Sequence, residues 1–156
     1  ASMSKVWKES LDDKRSRNNL KEASTVHAVL KSIGKHHNVV VLTPYNGQVD
    51  CIKKCIEEEF PEVEVYTTDG YQGKEADFIV LSLVRNNLMT GRRRWGFVSD
   101  PHRLNVALSR AREGLTIITS AQQIEETEFE DGRAHLQRVL TYIQKHGSII
   151  EPEVVE

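Results

Sequence analysis

Cysteine is nearly absent from these 156 residues: Cys51 and Cys55 are the two present. Two thiols cannot build a disulfide framework. With no CxxC, no HxxxH and six scattered histidines, no metal-ligand spacing is complete, and no metal site is expected. Both cysteines read as reduced side chains in or near a core, in a reducing intracellular compartment, nuclear or cytoplasmic. No apolar run approaches the roughly 18 residues needed to span a bilayer. Ala1-Ser2-Met3-Ser4-Lys5 opens no apolar signal segment, and Ala1-Ser2 ahead of Met3 reads as a cloning remnant. Net charge is small too, 21 − 23 = −2, which argues against a free-standing nucleic-acid-binding domain, usually basic overall. Also missing are GxxxxGK[ST], GxSxG and Cys-x5-Arg. A complete small phosphatase or nucleotide enzyme would need one such nucleophile or phosphate loop.

What charge there is sits unevenly. Between Arg85 and Arg112 there are seven arginines and one acid, Asp100, a balance of 7 − 1 = +6. Glutamates gather instead at 57–64 and 125–130. Positive charge concentrated in one 28-residue segment points to an anion handled there.

Residues 1–15 are polar and irregular and read as tag remnant or linker, and 151–156 as a tail. Between them, buried strands alternate with amphipathic helices. Val39–Leu42, Phe78–Val84 and Leu115–Thr119 are short apolar runs of the kind buried on both faces of a parallel sheet, and Val63–Tyr66 alternates. Helical periods appear from Glu22 to Ile33, stopped by Gly34, from Gln48 to Phe60, and from about Ala134 to Lys145. A further helix starts at the Asp100-Pro101 cap, carries Leu104, Ala107, Leu108 and Ala111 inward, and runs to Gly114. This order predicts an α/β domain with a mainly parallel sheet flanked by helices, and ligands at the carboxyl ends of its strands.

Three segments could carry chemistry. Thr43-Pro44-Tyr45-Asn46-Gly47-Gln48 offers a hydroxyl, an aromatic face and two amides at a helix start, where backbone N–H groups favour phosphate. Thr67 to Asp77 puts eleven mostly polar residues between two buried strands; its Gly73-Lys74 is no P-loop, because Glu75 stands where a magnesium-binding Ser or Thr is required. In Pro101–Arg112, Arg103 and Arg110 are seven apart, on one helical face, where an inward arginine meets either a carboxylate or a phosphate. Residues 85–99 lack any apolar period, and Arg92-Arg93-Arg94-Trp95 there sets cations beside an aromatic, equally suited to nucleic acid or to a solvated loop.

Val40-Leu42-Thr43-Pro44-Tyr45-Gln48, then Asp69-Gly70-Tyr71-Gln72-Gly73-Lys74-Glu75, then Arg103 through Arg112 stand in the order and spacing of three consecutive helicase motifs. They resemble motifs IV, V and VI of superfamily 1 helicases, in the branch of the nonsense-mediated-decay helicase, senataxin and the immunoglobulin-mu-binding helicase. The likeness covers residues 16–150. It implies a three-layer RecA-like domain, the second of two in an ATP-dependent helicase, with the P-loop and magnesium carboxylates on the absent first domain. By resemblance, Arg110 reaches the γ-phosphate as catalytic residue, and Gly73 and Glu75 border the nucleotide, Glu75 at its sugar. The position of a second γ-phosphate arginine is taken by Leu20, with Arg17 nearby. Thr43, Pro44, Tyr45, Gln48, Thr68, Asp69, Arg85 and Asn87 match positions near single-stranded RNA or DNA, and Arg103 and Asn105 belong to motif VI. ATP and Mg2+, the first RecA-like domain and a nucleic-acid strand are thus the implied cofactors and partners, with no membrane and a monomeric fragment inactive alone. The competing expectation is a non-catalytic nucleic-acid-binding α/β module.

Overall fold

The computed structural model describes residues 9–35, 37–71, 73–85, 96, 100–120, 124 and 133–148. Two short strands, β1 (Ser10–Leu11) and β2 (Arg17–Asn18), pair antiparallel as a ribbon. Then follow α1 (Leu20–Ile33), β3 (Val39–Thr43), α2 (Asn46–Ile56), β4 (Glu64–Thr67), a 3₁₀ turn at Asp69–Tyr71 and β5 (Ala76–Ser82). α3 (Pro101–Leu108), β6 (Ala111–Ile118) and α4 (Arg133–His146) complete the described elements.

The main sheet has the order β4-β3-β5-β6, every neighbouring pair parallel. Strand alternation divides its side chains between two cores. Val41, Val65, Val80 and Ile118 pack with Ala23, Val26 and Leu30 of α1 and Val49, Ile52 and Ile56 of α2. Val40, Leu42, Ile79 and Leu81 face the other way, onto Leu104 and Ala107 of α3 and Leu136 of α4. The result is a three-layer α/β domain, the expected RecA-like architecture.

Three expectations need correction. The segment predicted to run as a helix to Gly114 leaves helical geometry at Ser109 (φ −88°, ψ 2°). Sheet pairing wins there: the Ala76 N–H donates to the Arg110 carbonyl at 3.1 Å, and Ala111 pairs with Ala76. Arg103 and Arg110 therefore do not share a helical face, and Ala111 and Arg112 belong to β6. Gly114 is not a helix stop; it lies mid-strand where an added Cβ would come 2.7 Å from the Phe78 ring. Finally, residues 10–18, expected as linker and domain edge, form the ribbon, which packs on Gly47 of α2 and carries a buried Glu9 beside it.

Candidate functional site

At the carboxyl ends of β3 and β4 the predicted nucleic-acid residues gather. The Thr68 N–H donates to the Thr43 carbonyl at 3.0 Å, joining the two loops. Among the described residues neither buried hydroxyl has a hydrogen-bond partner, nor has that of Thr119, just past β6. An orphaned buried hydroxyl costs about 1–3 kcal/mol, so three at one sheet edge are a departure from ordinary core construction. Pro44 and Tyr45 are half-buried beside them, and Tyr45 caps α2 without a side-chain bond. The helix-start amides expected to favour phosphate are partly used: Gly47 N–H donates to Ser16 Oγ at 2.9 Å.

Gln48 does not face a ligand. It is fully buried; its Nε2 donates to the Asn19 carbonyl (3.0 Å) and Ser82 Oγ (3.2 Å), and its Oε1 accepts from Asn19 N–H (2.8 Å). The same network holds Glu22, whose Oε1 accepts from Ser82 Oγ (2.7 Å) and the Val84 N–H (3.0 Å). Burial lifts the Glu22 carboxyl from 4.5 to about 7, against the lowering effect of those two hydrogen bonds.

Arg85 is likewise enclosed. At 2% exposure, its Nε donates to both Glu9 oxygens at 3.1 and 2.9 Å, and its Nη1 to the Tyr45 hydroxyl at 3.1 Å. It is turned inward by a three-residue turn: Arg85 N–H donates to the Leu83 carbonyl at 2.8 Å, with Val84 at φ 71°. A positive φ at the centre of such a turn is its rare and strained form, and at a β-branched residue it costs on the order of 1–3 kcal/mol. Glu22 and Asn19 hold it from both sides, the latter through Asn19 Nδ2 to the Val84 carbonyl at 3.0 Å. Arg17 donates to Glu9 at 2.7 Å, which fixes it to the ribbon on the Tyr45 side; the structure does not bring it to the other predicted ATP residues. Leu20 opens α1 and is 65% exposed.

Those other residues meet at the amino ends of β5 and β6, not at the carboxyl edge predicted for all ligands. Arg110 follows α3, and its Nη1 donates to the Lys74 carbonyl at 3.4 Å, between Gly73 and the exposed Glu75. Its Nε donates to the Val106 carbonyl (3.0 Å) and its Nη2 to Ser109 Oγ (2.9 Å). All three acceptors are neutral. Among the described residues no carboxylate pairs with Arg110, whereas Arg103 lies 3.9 Å from Asp69 and 3.8 Å from Asp100, and Arg112 lies 3.0 Å from Asp77. Arg103 thus links motif VI to motif V as a half-exposed ion pair, and Asn105 is exposed. Gly73 has φ +77° with no atom within 4 Å of an added Cβ. Asn87, Gln72 and Arg92 through Trp95 lie outside the described residues. Cys51 and Cys55 sit half-exposed on α2, and burial raises both thiols.

Sequence reasoning missed Glu9, Ser82, Thr119 and the internal role of Glu22. The Asn19-x-x-Glu22 spacing was a readable helix-start signal; nothing local marked Glu9, whose partner lies 76 residues away.

The geometry defines an α/β domain with an arginine held by neutral acceptors at one sheet edge and, among the described residues, unpartnered hydroxyls at the other. Residues 2–122 match the family described as AAA domain. A regulator of nonsense transcripts 1 homolog of Neurospora crassa is 38% identical over 145 residues, covering 81% of this chain and 13% of that protein. DNA-binding protein SMUBP-2 of Mesocricetus auratus is 29% identical over 142 residues (88% and 13%). An uncharacterized ATP-dependent helicase of Methanocaldococcus jannaschii is 36% identical over 109 residues (69% and 16%). The chain belongs to the AAA domain family and, within it, to the superfamily 1 helicase branch of these relatives. It spans about one-eighth of the length of the first two. No described helix is long and apolar enough to cross a membrane.

Proposed function

We propose that this chain is the second motor domain of an intracellular ATP-dependent helicase. It completes an ATP site across a cleft from a first RecA-like domain of the same polypeptide, which bears the P-loop and magnesium carboxylates, and it contacts the backbone of single-stranded RNA or DNA. Arg110 carries the reading. Three neutral acceptors orient its guanidinium beside Gly73 and Glu75 without cancelling its charge, as an ion pair would. ATP bound at this junction supplies the phosphoryl group that passes to water. Arg110 stabilises the charge spreading over that group, a role worth about 10³–10⁵ in rate for arginine fingers. Glu75 accepts from the nucleotide sugar, and Gly73 allows close backbone approach.

At the other edge, half-buried Pro44 and Tyr45, with Thr43 and Thr68 in the wall behind them, support contact with the strand backbone. Asp69, exposed at the start of its 3₁₀ turn, lies next to Thr68 on that path. The test is the 156-residue chain alone. It should bind labelled single strands weakly, with affinity falling steeply as salt rises, and should not turn over ATP. Steady turnover by the purified chain would overturn the reading.

A further inference from the structure

We infer that Arg85 is a positioning residue for single-strand binding, acting through Tyr45 and locked in place by Glu9 of the N-terminal ribbon. The inference rests on the strand-binding reading above and adds residues that reading did not use. Arg85 leaves β5 at the carboxyl edge, where a strand would pass, yet it is turned away from solvent by the strained turn at Val84. Such strain persists only where surroundings over-determine it, and here Asn19 and Glu22 grip both backbone groups of Val84.

The inward guanidinium makes two kinds of contact. Nε spans both oxygens of Glu9, which also receives the half-buried Arg17, so one glutamate ties both arginines together. Nη1 reaches the Tyr45 hydroxyl, and the guanidinium carbon lies 6.0 Å from the Tyr45 ring centroid. The tyrosine is thereby fixed at its tip and beside its face. Gly96 packs against the arrangement: at φ +53°, a Cβ there would press on Arg85 Nη1 and come within 3.1 Å of the Tyr45 hydroxyl, so a side chain would displace the arginine tip. Four segments far apart in sequence converge on one ring that stays half-exposed at the strand-binding edge.

An arginine that touched phosphate would not be 2% exposed. Arg85 instead orders Tyr45 for stacking or backbone contact, which reduces the entropy lost when a strand binds.

The test uses the 156-residue chain with labelled oligouridylate and oligothymidylate. Dissociation constants are measured across a salt series, with melting temperatures on the same preparations. Arg85→Lys keeps the charge but cannot span Glu9 and reach Tyr45 together. It should weaken binding about three- to tenfold, as should Tyr45→Phe, and the double variant should be no weaker than either single one. The salt slope should stay unchanged, because no phosphate contact is lost. Glu9→Gln, which preserves shape, should reproduce the Arg85→Lys loss and serves if that variant does not fold. Additive losses, or a shallower salt slope in Arg85→Lys, would make Arg85 a direct contact and overturn the inference. Unchanged affinity with a lowered melting temperature would reduce it to a fold-supporting residue. Failure of the unsubstituted chain to bind either strand would overturn the strand-binding reading itself, and the positioning role with it.

Discussion

Glu22 shows how a single side chain makes stability depend on pH. Folded, its carboxyl keeps a proton up to about pH 7; unfolded, it releases it near 4.5. Between those values the folded state binds more protons, so stability falls as pH rises through this window, by on the order of 3 kcal/mol in all. Glu22→Gln should remove that component. Urea melts from pH 5 to 8 should show the parent losing stability with rising pH relative to a flatter variant; parallel curves would contradict it. Arg112 is the contrasting case. Its pair with Asp77 is half-exposed, so Arg112→Ala should change stability by less than about 1 kcal/mol. Residues of this kind differ in legibility. Arg110 and Glu75 stand in recognisable motifs, whereas Glu9 is one acid in a polar stretch whose meaning depends on Arg85 folding back to it.

At the scale of elements, α3 is held at its start by Asp100, whose carboxylate accepts from the N–H groups of His102 (2.9 Å) and Arg103 (3.4 Å). Asp100→Ala should therefore cost about 1 kcal/mol in a denaturant melt. β6 carries a second test. Gly114→Ala drives a methyl group against Phe78 and should cost about 1–3 kcal/mol; shortening Phe78 to Leu in the same chain should recover part of it. Both elements mark where sequence patterning works and where it fails. The Asp100-Pro101 cap was plain in the residues, as were the buried strands and the helical faces. The end of α3 was not, because Ala107-Leu108-Ala111 keeps a helical period while β5 captures Arg110 and Ala111 by long-range pairing. Local periodicity carries no information about that competition. The same holds for Gly114, which reads as a helix stop until Phe78 is beside it.

For the molecule as a whole, the two predicted sets of site residues, Arg17 excepted, lie at opposite ends of the central strands. Arg110, Gly73 and Glu75 flank the amino ends of β5 and β6; Thr43, Tyr45 and Thr68 flank the carboxyl ends of β3 and β4. Seven-residue β5 puts about 20 Å of strand between them. On the proposed function, nucleotide and nucleic-acid strand occupy separate surfaces of the domain.

On the proposed function, Arg110 completes an ATP site supplied by another domain. An arginine aimed at developing charge acts mainly in the transition state. It is anchored here by carbonyls and a hydroxyl, so its removal strands no buried carboxylate among the described residues. The decisive measurement is strand-stimulated ATP turnover per folded molecule, alongside melting temperature, for Arg110→Ala and Arg110→Lys in the full-length polypeptide that carries this domain. Turnover should fall at least about 10³-fold in both variants, with melting temperature and single-strand affinity nearly unchanged. Normal turnover per folded molecule in Arg110→Ala, with or without loss of stability, would contradict it.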